Sequence, residues 1–477
     1  MPLLLLTATV IVVMLAIAIK RSHSLTCVLS ITGISISFLA VFSVLPYAGT
    51  QVTPLLIVDS LSLLFSAIIL LIAAFIAIFS FPYLANLGDQ KEEYYLLLLL
   101  AALGALILVT SNHFISAFLG LETLSISLYG MIAYPVHSKG AAKFPLEASF
   151  KYLILSAVSS TFILFGIALL YSQTGSLGFA SLTESLNNSL SNTPMIATGM
   201  IMLTSGIAFK LSLAPFHMWT PDVYEGAPLP ATAFLATIGK VGMFVLMLRF
   251  IFATDALQFE AVVGALTFLA VVSILLGNIL ALLQQNIKRI LAYSSIAHMG
   301  YILIALVAYA ANNGVIAVEA ISFYLIAYLI MSLGAFGVAA VVSSSEKEYD
   351  FVNDYQGLFW RDPWLATLFT AMLLSLAGIP LTAGFIGKFY IMFAGVQGSQ
   401  WLLLIALVIG SGLGIYYYLR IVYRMLLPSD GTVKFAETGG SSIGSYAVLT
   451  ILLVALIVLG VYPTFLMSIL ESVATSI

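Results

Sequence analysis

Fourteen apolar runs, each long enough to cross a bilayer, follow one another through the 477 residues with only short polar stretches between them. They cover 2–19, 25–45, 56–82, 94–111, 113–134, 147–171, 194–219, 228–252, 258–284, 289–310, 315–343, 363–396, 400–426 and 443–470. A hydrocarbon core of about 30 Å needs roughly 20 apolar residues of helix. In lipid, each such segment must satisfy its own backbone groups, which for single runs of this length means α-helix. The pattern predicts an all-α polytopic membrane protein of about fourteen transmembrane helices. Composition agrees: 62% of the residues are apolar and 8% charged, against about 45–50% and about 25% in soluble domains. A soluble enzyme, a nucleic-acid binder and a disordered chain are thereby excluded, the basic and acidic residues being 17 and 20 with no basic tract. The lone Cys27 cannot form an intrachain disulfide, and no Cys/His spacing suggests a metal.

The basic residues test this count. The odd-numbered connections hold Lys20, Arg21, Lys91, Lys139, Lys143, Lys288, Arg289, Lys347, Arg361, Arg424 and Lys434; the even ones hold no Lys or Arg. Cytoplasmic loops collect basic residues. The split therefore predicts odd connections in the cytoplasm and both termini on the opposite, periplasmic side of a bacterial inner membrane. The first run has no basic residue before it, and Lys20 and Arg21 follow it. It reads as a retained helix and not a signal peptide. The Gly-rich stretch Gly410 to Gly414 lies inside an apolar run and reads as close helix packing, not a nucleotide loop.

Two echoes share one period. Glu-Ala and Tyr-Leu-Ile fall in register between Leu146–Ile154, in span six, and Val318–Ile326, in span eleven. Ser212-Leu213-Ala214 before Pro215 in span seven is matched by Ser375-Leu376-Ala377 before Pro380 in span twelve. Five spans separate each pair, so the units cross the membrane in opposite directions. The spacing predicts two inverted five-helix repeats, spans 4–8 (91–255) and 9–13 (256–430), preceded by three helices (1–90) and followed by one (431–477). A proline inside a helix removes a hydrogen bond at a cost of about 3 kcal/mol. Paired interruptions in corresponding positions point to an ion site, so spans seven and twelve are expected to be broken near Pro215 and Pro380.

Ionisable residues lie inside the spans, where a charge costs at least about 2.5–3.5 kcal/mol. At 1.5 Å per residue, Glu122 lies about 14 Å into span five, Lys240 about 18 Å into span eight and His298 about 14 Å into span ten. Lys210 lies about 24 Å along span seven by the same rise, and Lys388 follows the break in span twelve. Groups at a similar depth form a polar axis parallel to the membrane. Lysine suits proton transfer because its proton affinity is tuned by burial and by nearby carboxylates, whereas arginine does not deprotonate. Glu147 and Lys151 are one helical turn apart and read equally well as a structural i,i+4 pair. His217 and Trp219 are expected to pack and cap the broken helix.

The residues resemble a known family. Phe209 to Pro228 reads Phe-Lys-Leu-Ser-Leu-Ala-Pro-Phe-His-Met-Trp-Thr-Pro-Asp-Val-Tyr-Glu-Gly-Ala-Pro. It is similar to the broken-helix signature of the antiporter-like membrane subunits of respiratory complex I, and its wording resembles the subunit N type. Arg289 to Tyr301, Gly378-Ile379-Pro380 and Gly384 to Tyr390 match as well. The resemblance implies a proton-translocating subunit of an NADH:quinone oxidoreductase, a translocase that carries no redox chemistry itself. It implies that Glu122 pairs with Lys210, that Lys240 is the connecting lysine and that Lys388 ends the second half-channel. On depth and chemistry, Glu122 and Lys210 are expected to interact directly or through one water, and His298 to relay the proton from Lys240 towards Lys388. The resemblance implies no cofactor in this chain. NADH, flavin, iron–sulfur clusters and quinone would belong to partner subunits, among them a neighbouring antiporter-like subunit and small helical subunits. A standalone or multisubunit Na⁺(cation)/proton antiporter would share the fold and the lysines, and an inert scaffold would share only the spans.

Overall fold

The computed structural model describes all residues except 86, 88, 89, 135–143, 186–193, 313, 345, 346, 429–442, 476 and 477. Lys139, Lys143 and Lys434 lie outside the described residues. The chain runs through α1 (Pro2–Ile19), α2 (His23–Val44), a hairpin of β1 (Thr50–Thr53) and β2 (Leu56–Val58), α3 (Ser60–Tyr83), α4 (Glu93–Thr110), α5 (Phe114–Ala133), α6 (Phe144–Thr174), α7 (Phe179–Ser185), α8 (Pro194–Lys210) and α9 (Trp219–Gly226). It continues through α10 (Leu229–Phe234), a π-helical turn at Leu235–Gly239, α11 (Lys240–Thr254), α12 (Glu260–Leu282), α13 (Ile287–Asn312) and α14 (Val315–Val342). The last elements are α15 (Leu358–Arg361), α16 (Pro363–Ala377), α17 (Ala383–Gln397), α18 (Trp401–Leu426), α19 (Ile443–Val461) and α20 (Thr464–Ala474).

Among the described residues, 12 helical segments are long and apolar enough to cross a membrane, with α10 and α11 forming one of them. The pairs α8/α9 and α16/α17 complete the fourteen, because spans seven and twelve are each interrupted as the prolines required. Two boundaries differ from the sequence reading. Span three begins at Ser60, since Leu56–Val58 pairs with Thr50–Thr53 as an antiparallel strand. Asp59 then starts the helix with a capping box, accepting from the Ser62 amide at 2.7 Å. The last run ends at Val461; past Pro463 the chain turns into the separate helix α20.

Contacts between connections sort by parity. On one face, β2 bridges Ser111, and His113 bridges Gly178, joining the second, fourth and sixth connections. On the other face, Arg21 pairs with Glu93 at 2.6 Å, Asn286 bridges Phe351, and Trp360 donates to the Leu426 carbonyl at 3.0 Å. The described basic loop residues thus share one face. Packing also repeats: α4 lies along α5 as α12 lies along α13, and α6 along α8 as α14 along α16 and α17.

Candidate functional site

Both breaks are built by the same local chemistry. α8 stops at Lys210, where Ser212 turns left-handed with φ 63° and Pro215 offers no amide. The Ala214 amide donates to Ser273 Oγ of α12 at 2.9 Å, and Trp219 Nε1 caps the Phe209 carbonyl at 3.0 Å. α16 stops at Gly378, with φ 86°. There the Gly384 amide donates to Ser375 Oγ at 3.0 Å. Lys388 Nζ reaches back to the carbonyls of Leu376 at 3.1 Å and Ala377 at 2.9 Å. In each break a serine takes a freed amide and a side chain from the second half takes carbonyls of the first. A cation at a helix C-terminus also faces the negative end of its dipole.

Lys210 is buried between α5 and α6. Its Nζ donates to Ser125 Oγ at 2.9 Å and to Ser156 Oγ at 2.5 Å. Ser156 also accepts from the Tyr129 hydroxyl at 2.7 Å. Glu122, half-buried on α5, accepts from Ser160 Oγ at 2.6 Å. Glu122 and Ser125 share one face of α5, and Ser156 and Ser160 share one face of α6. The carboxylate and the ammonium are thus bracketed by the same pair of helices, but no ion pair joins them. The expected direct contact is not made: Lys210 is held by Ser125 and Ser156 and Glu122 by Ser160.

The other ionisable groups gather along one stripe of α13. Lys240 Nζ, 1% exposed, donates to Ser295 Oγ at 2.7 Å and lies 5.9 Å from the Tyr224 ring centre. The π-turn just before Lys240 widens the helix, and the Tyr328 hydroxyl takes the Ala236 carbonyl there at 3.0 Å. Such π-bulges frequently mark functional sites. His298 follows Ser294 and Ser295 by one turn. Its Nδ1 lies 2.7 Å from the Tyr324 hydroxyl and its Nε2 3.3 Å from the Tyr418 hydroxyl, which also pairs with Ser294 Oγ. One further turn on, Tyr301 presents its ring 5.3 Å from Lys388 Nζ. The structure therefore sets Lys240 and Lys388 against the His298 stripe of α13, while Lys210 and Glu122 lie apart, between α5 and α6.

Surroundings differ on the two sides of Lys210. Towards the break, Ser212 Oγ, His217 Nδ1, Thr220 Oγ1 and Tyr224 OH are buried without a protein partner. Groups of this kind are satisfied by buried water. Towards the even-connection face, the cavity is lined by apolar side chains alone, from Leu121, Ile163 and Ile207 out to Phe114, Phe179 and Phe250.

Glu147 and Lys151 form their expected pair at 2.8 Å, but Lys151 is shared with Asp222 of α9 at 2.9 Å. Asp222 in turn pairs with Arg289 of α13 at 2.9 Å, and Arg289 with Glu225 at 2.7 Å. Tyr324, Tyr418, Asp222 and the serines around Lys210 and Glu122 were missed from the sequence. Tyrosine prefers the membrane interface, so a tyrosine deep within a span is itself a signal. Tyr324 was inside the repeated Tyr-Leu-Ile.

Residues 111–414 match the model of a family described as NADH:quinone oxidoreductase/Mrp antiporter, TM. The chain is 29% identical to a chain of respiratory complex I from Thermus thermophilus, covering 98% of this chain and 99% of that one with a TM-score of 0.83. A chain of the membrane-bound sulfane sulfur reductase, an archaeal respiratory membrane complex, matches at 24% identity over 100% and 96% of the two chains, with a TM-score of 0.86. A chain of the Mrp complex from Dietzia sp. DQ12-45-1b matches at 19% identity over 99% and 96%, with a TM-score of 0.85. These last two share the fold.

Proposed function

Because the chain belongs to the NADH:quinone oxidoreductase/Mrp antiporter transmembrane family, we propose that it is the subunit N type of a bacterial complex I, moving protons while partner subunits reduce quinone. It is a multi-pass membrane protein, and we assign its basic face to the cytoplasm, leaving both termini periplasmic. Flavin and iron–sulfur chemistry belong to the partners; this chain supplies the proton path.

The observation that carries the reading is the company each lysine keeps. Lys210, Lys240 and Lys388 are buried and bonded only to hydroxyls and carbonyls. A lysine neutralised by a close carboxylate is a structural ion pair; a buried lysine held by neutral oxygens is poised to give up its proton. Lys210 takes a proton from the polar break around Ser212 and His217, while the cavity from Leu121 to Phe250 offers no polar side chain to carry a proton from the periplasmic side. Lys240 and His298 carry the proton along α13, and Lys388 passes it to the far side. Glu122 acts on Lys210 through the serine layer, so a change of charge near Glu122 shifts how firmly Lys210 keeps its proton. At an effective dielectric of about 20, even an 8 Å separation leaves a coupling of roughly 2 kcal/mol.

The antiporter reading shares the same lysines. The higher identity to the complex I chain than to the Mrp chain favours complex I. The test is the assembled complex in proteoliposomes. Lys240→Met is expected to leave assembly intact and to abolish proton uptake driven by quinone reduction. Normal uptake would remove the relay. Na⁺-dependent proton exchange without any quinone reduction would favour the antiporter.

A further inference from the structure

His298 is 1% exposed, and both of its ring nitrogens face phenols. The usual partner of a buried histidine is a carboxylate or a backbone carbonyl on one nitrogen, which accepts a hydrogen bond and so fixes the tautomer. Here neither nitrogen has such a partner. A phenol hydroxyl can either donate or accept, so Tyr324 and Tyr418 can partner both the Nδ1–H and the Nε2–H forms.

We propose that Tyr324 and Tyr418 make His298 a tautomer-switching relay between Lys240 and Lys388, an inference that rests on the proton path described above. The two phenols lead in different directions. Tyr418 joins Ser294, the chain neighbour of the Ser295 that holds Lys240. Tyr324 lies against Gly387, the residue before Lys388: a Cβ at Gly387 would stand 2.6 Å from the Tyr324 ring.

The transfer balances along this line. At the start Nδ1 carries the proton and donates to Tyr324, while Nε2 accepts from Tyr418. A proton released by the Lys240 ammonium reaches the Tyr418 oxygen, and Tyr418 gives its own hydroxyl proton to Nε2. Nδ1 gives its proton to the Tyr324 oxygen, and the former Tyr324 hydroxyl proton goes to the Lys388 free amine. Each group that gains a proton loses one, so both phenols and the imidazole end neutral, with the imidazole in its other tautomer. Reorientation of the ring and hydroxyls restores the first form. The device moves charge past His298 without leaving an imidazolium there.

The test uses the purified complex with ¹⁵N-labelled histidine and the variants Tyr324→Phe and Tyr418→Phe, which keep the ring packing around His298. In the wild type, ¹⁵N spectra are expected to show both tautomers of His298. Each variant is expected to collapse to one, with quinone-driven pumping falling at least about tenfold, as befits loss of a proton-transfer group. A single wild-type tautomer, or full pumping in both variants, overturns the proposal. If Lys240→Met stops pumping while both phenylalanine variants pump normally, the tautomer relay alone falls. If all three pump normally, the lysine path falls with it.

Discussion

Lys388 reaches back across the break of its own span to donate to the carbonyl of Ala377 at 2.9 Å. One ammonium thereby closes the C-terminal end of α16 and, in the proposed path, holds the proton that leaves the chain. These two duties separate by substitution. Lys388→Gln keeps an N–H donor for the break and loses the exchangeable charge, so the complex is expected to assemble and not to pump. Lys388→Met leaves both buried carbonyls unpaired, at about 1–3 kcal/mol each. Its expected signature is a lowered thermal midpoint of the purified complex in addition to lost pumping.

Gly384 sets how closely the two halves of span twelve approach. A Cβ there would stand 2.0 Å from the Ser375 carbonyl oxygen. Gly384→Ala must push α17 off α16 and break the hydrogen bond from the Gly384 amide to Ser375 Oγ. Overpacking of this kind costs about 1–3 kcal/mol. Reduced assembly on native gels is the expected result. Gly264, whose Cβ would meet nothing within 4 Å, is the matched control, and Gly264→Ala should assemble normally.

The Lys151 network predicts compensation. Removing Glu147 still leaves Lys151 paired with Asp222, and these side chains are about 40% exposed. Exposed pairs are worth roughly 0.2–1 kcal/mol. Glu147→Gln is expected to pump at the wild-type rate. Asp222→Asn removes the acceptor shared by α6 and α13, so it should cost more stability than Glu147→Gln in a thermal-melt comparison.

Orientation is open to chemical labelling. Gln51 is exposed on β1, and Trp360 is exposed on the opposite face. Native Cys27 is buried, so it gives little background. Gln51→Cys is expected to react with an impermeant thiol reagent added to intact cells, and Trp360→Cys only after lysis. The reverse pattern would invert the assignment of faces.

Span number and both helix breaks were legible in the sequence because they rest on local rules: apolar length, loop charge and proline in the helix interior. The relationship between Glu122 and Lys210 was not. Sequence depth placed Glu122 about 14 Å and Lys210 about 24 Å along their spans, but it could not show that Ser125 and Ser156 hold Lys210 while Ser160 holds Glu122, since that depends on how α5 and α6 rotate. Tyr418 was hidden for the same reason, lying on a helix remote in sequence from His298. The strand Leu56–Val58 was absorbed into the third apolar run, because a short apolar strand cannot be told from the start of a helix by pattern alone.

The central claim is that Lys210 works by releasing a proton and not by holding a charge. The most direct measurement is proton pumping per quinone reduced in proteoliposomes containing the assembled complex with Lys210→Arg. Arginine keeps the positive charge and the donors to Ser125 and Ser156 but does not deprotonate. The account predicts an assembled complex with pumping lost. Full pumping with arginine at this position would contradict it, reducing Lys210 to a fixed charge.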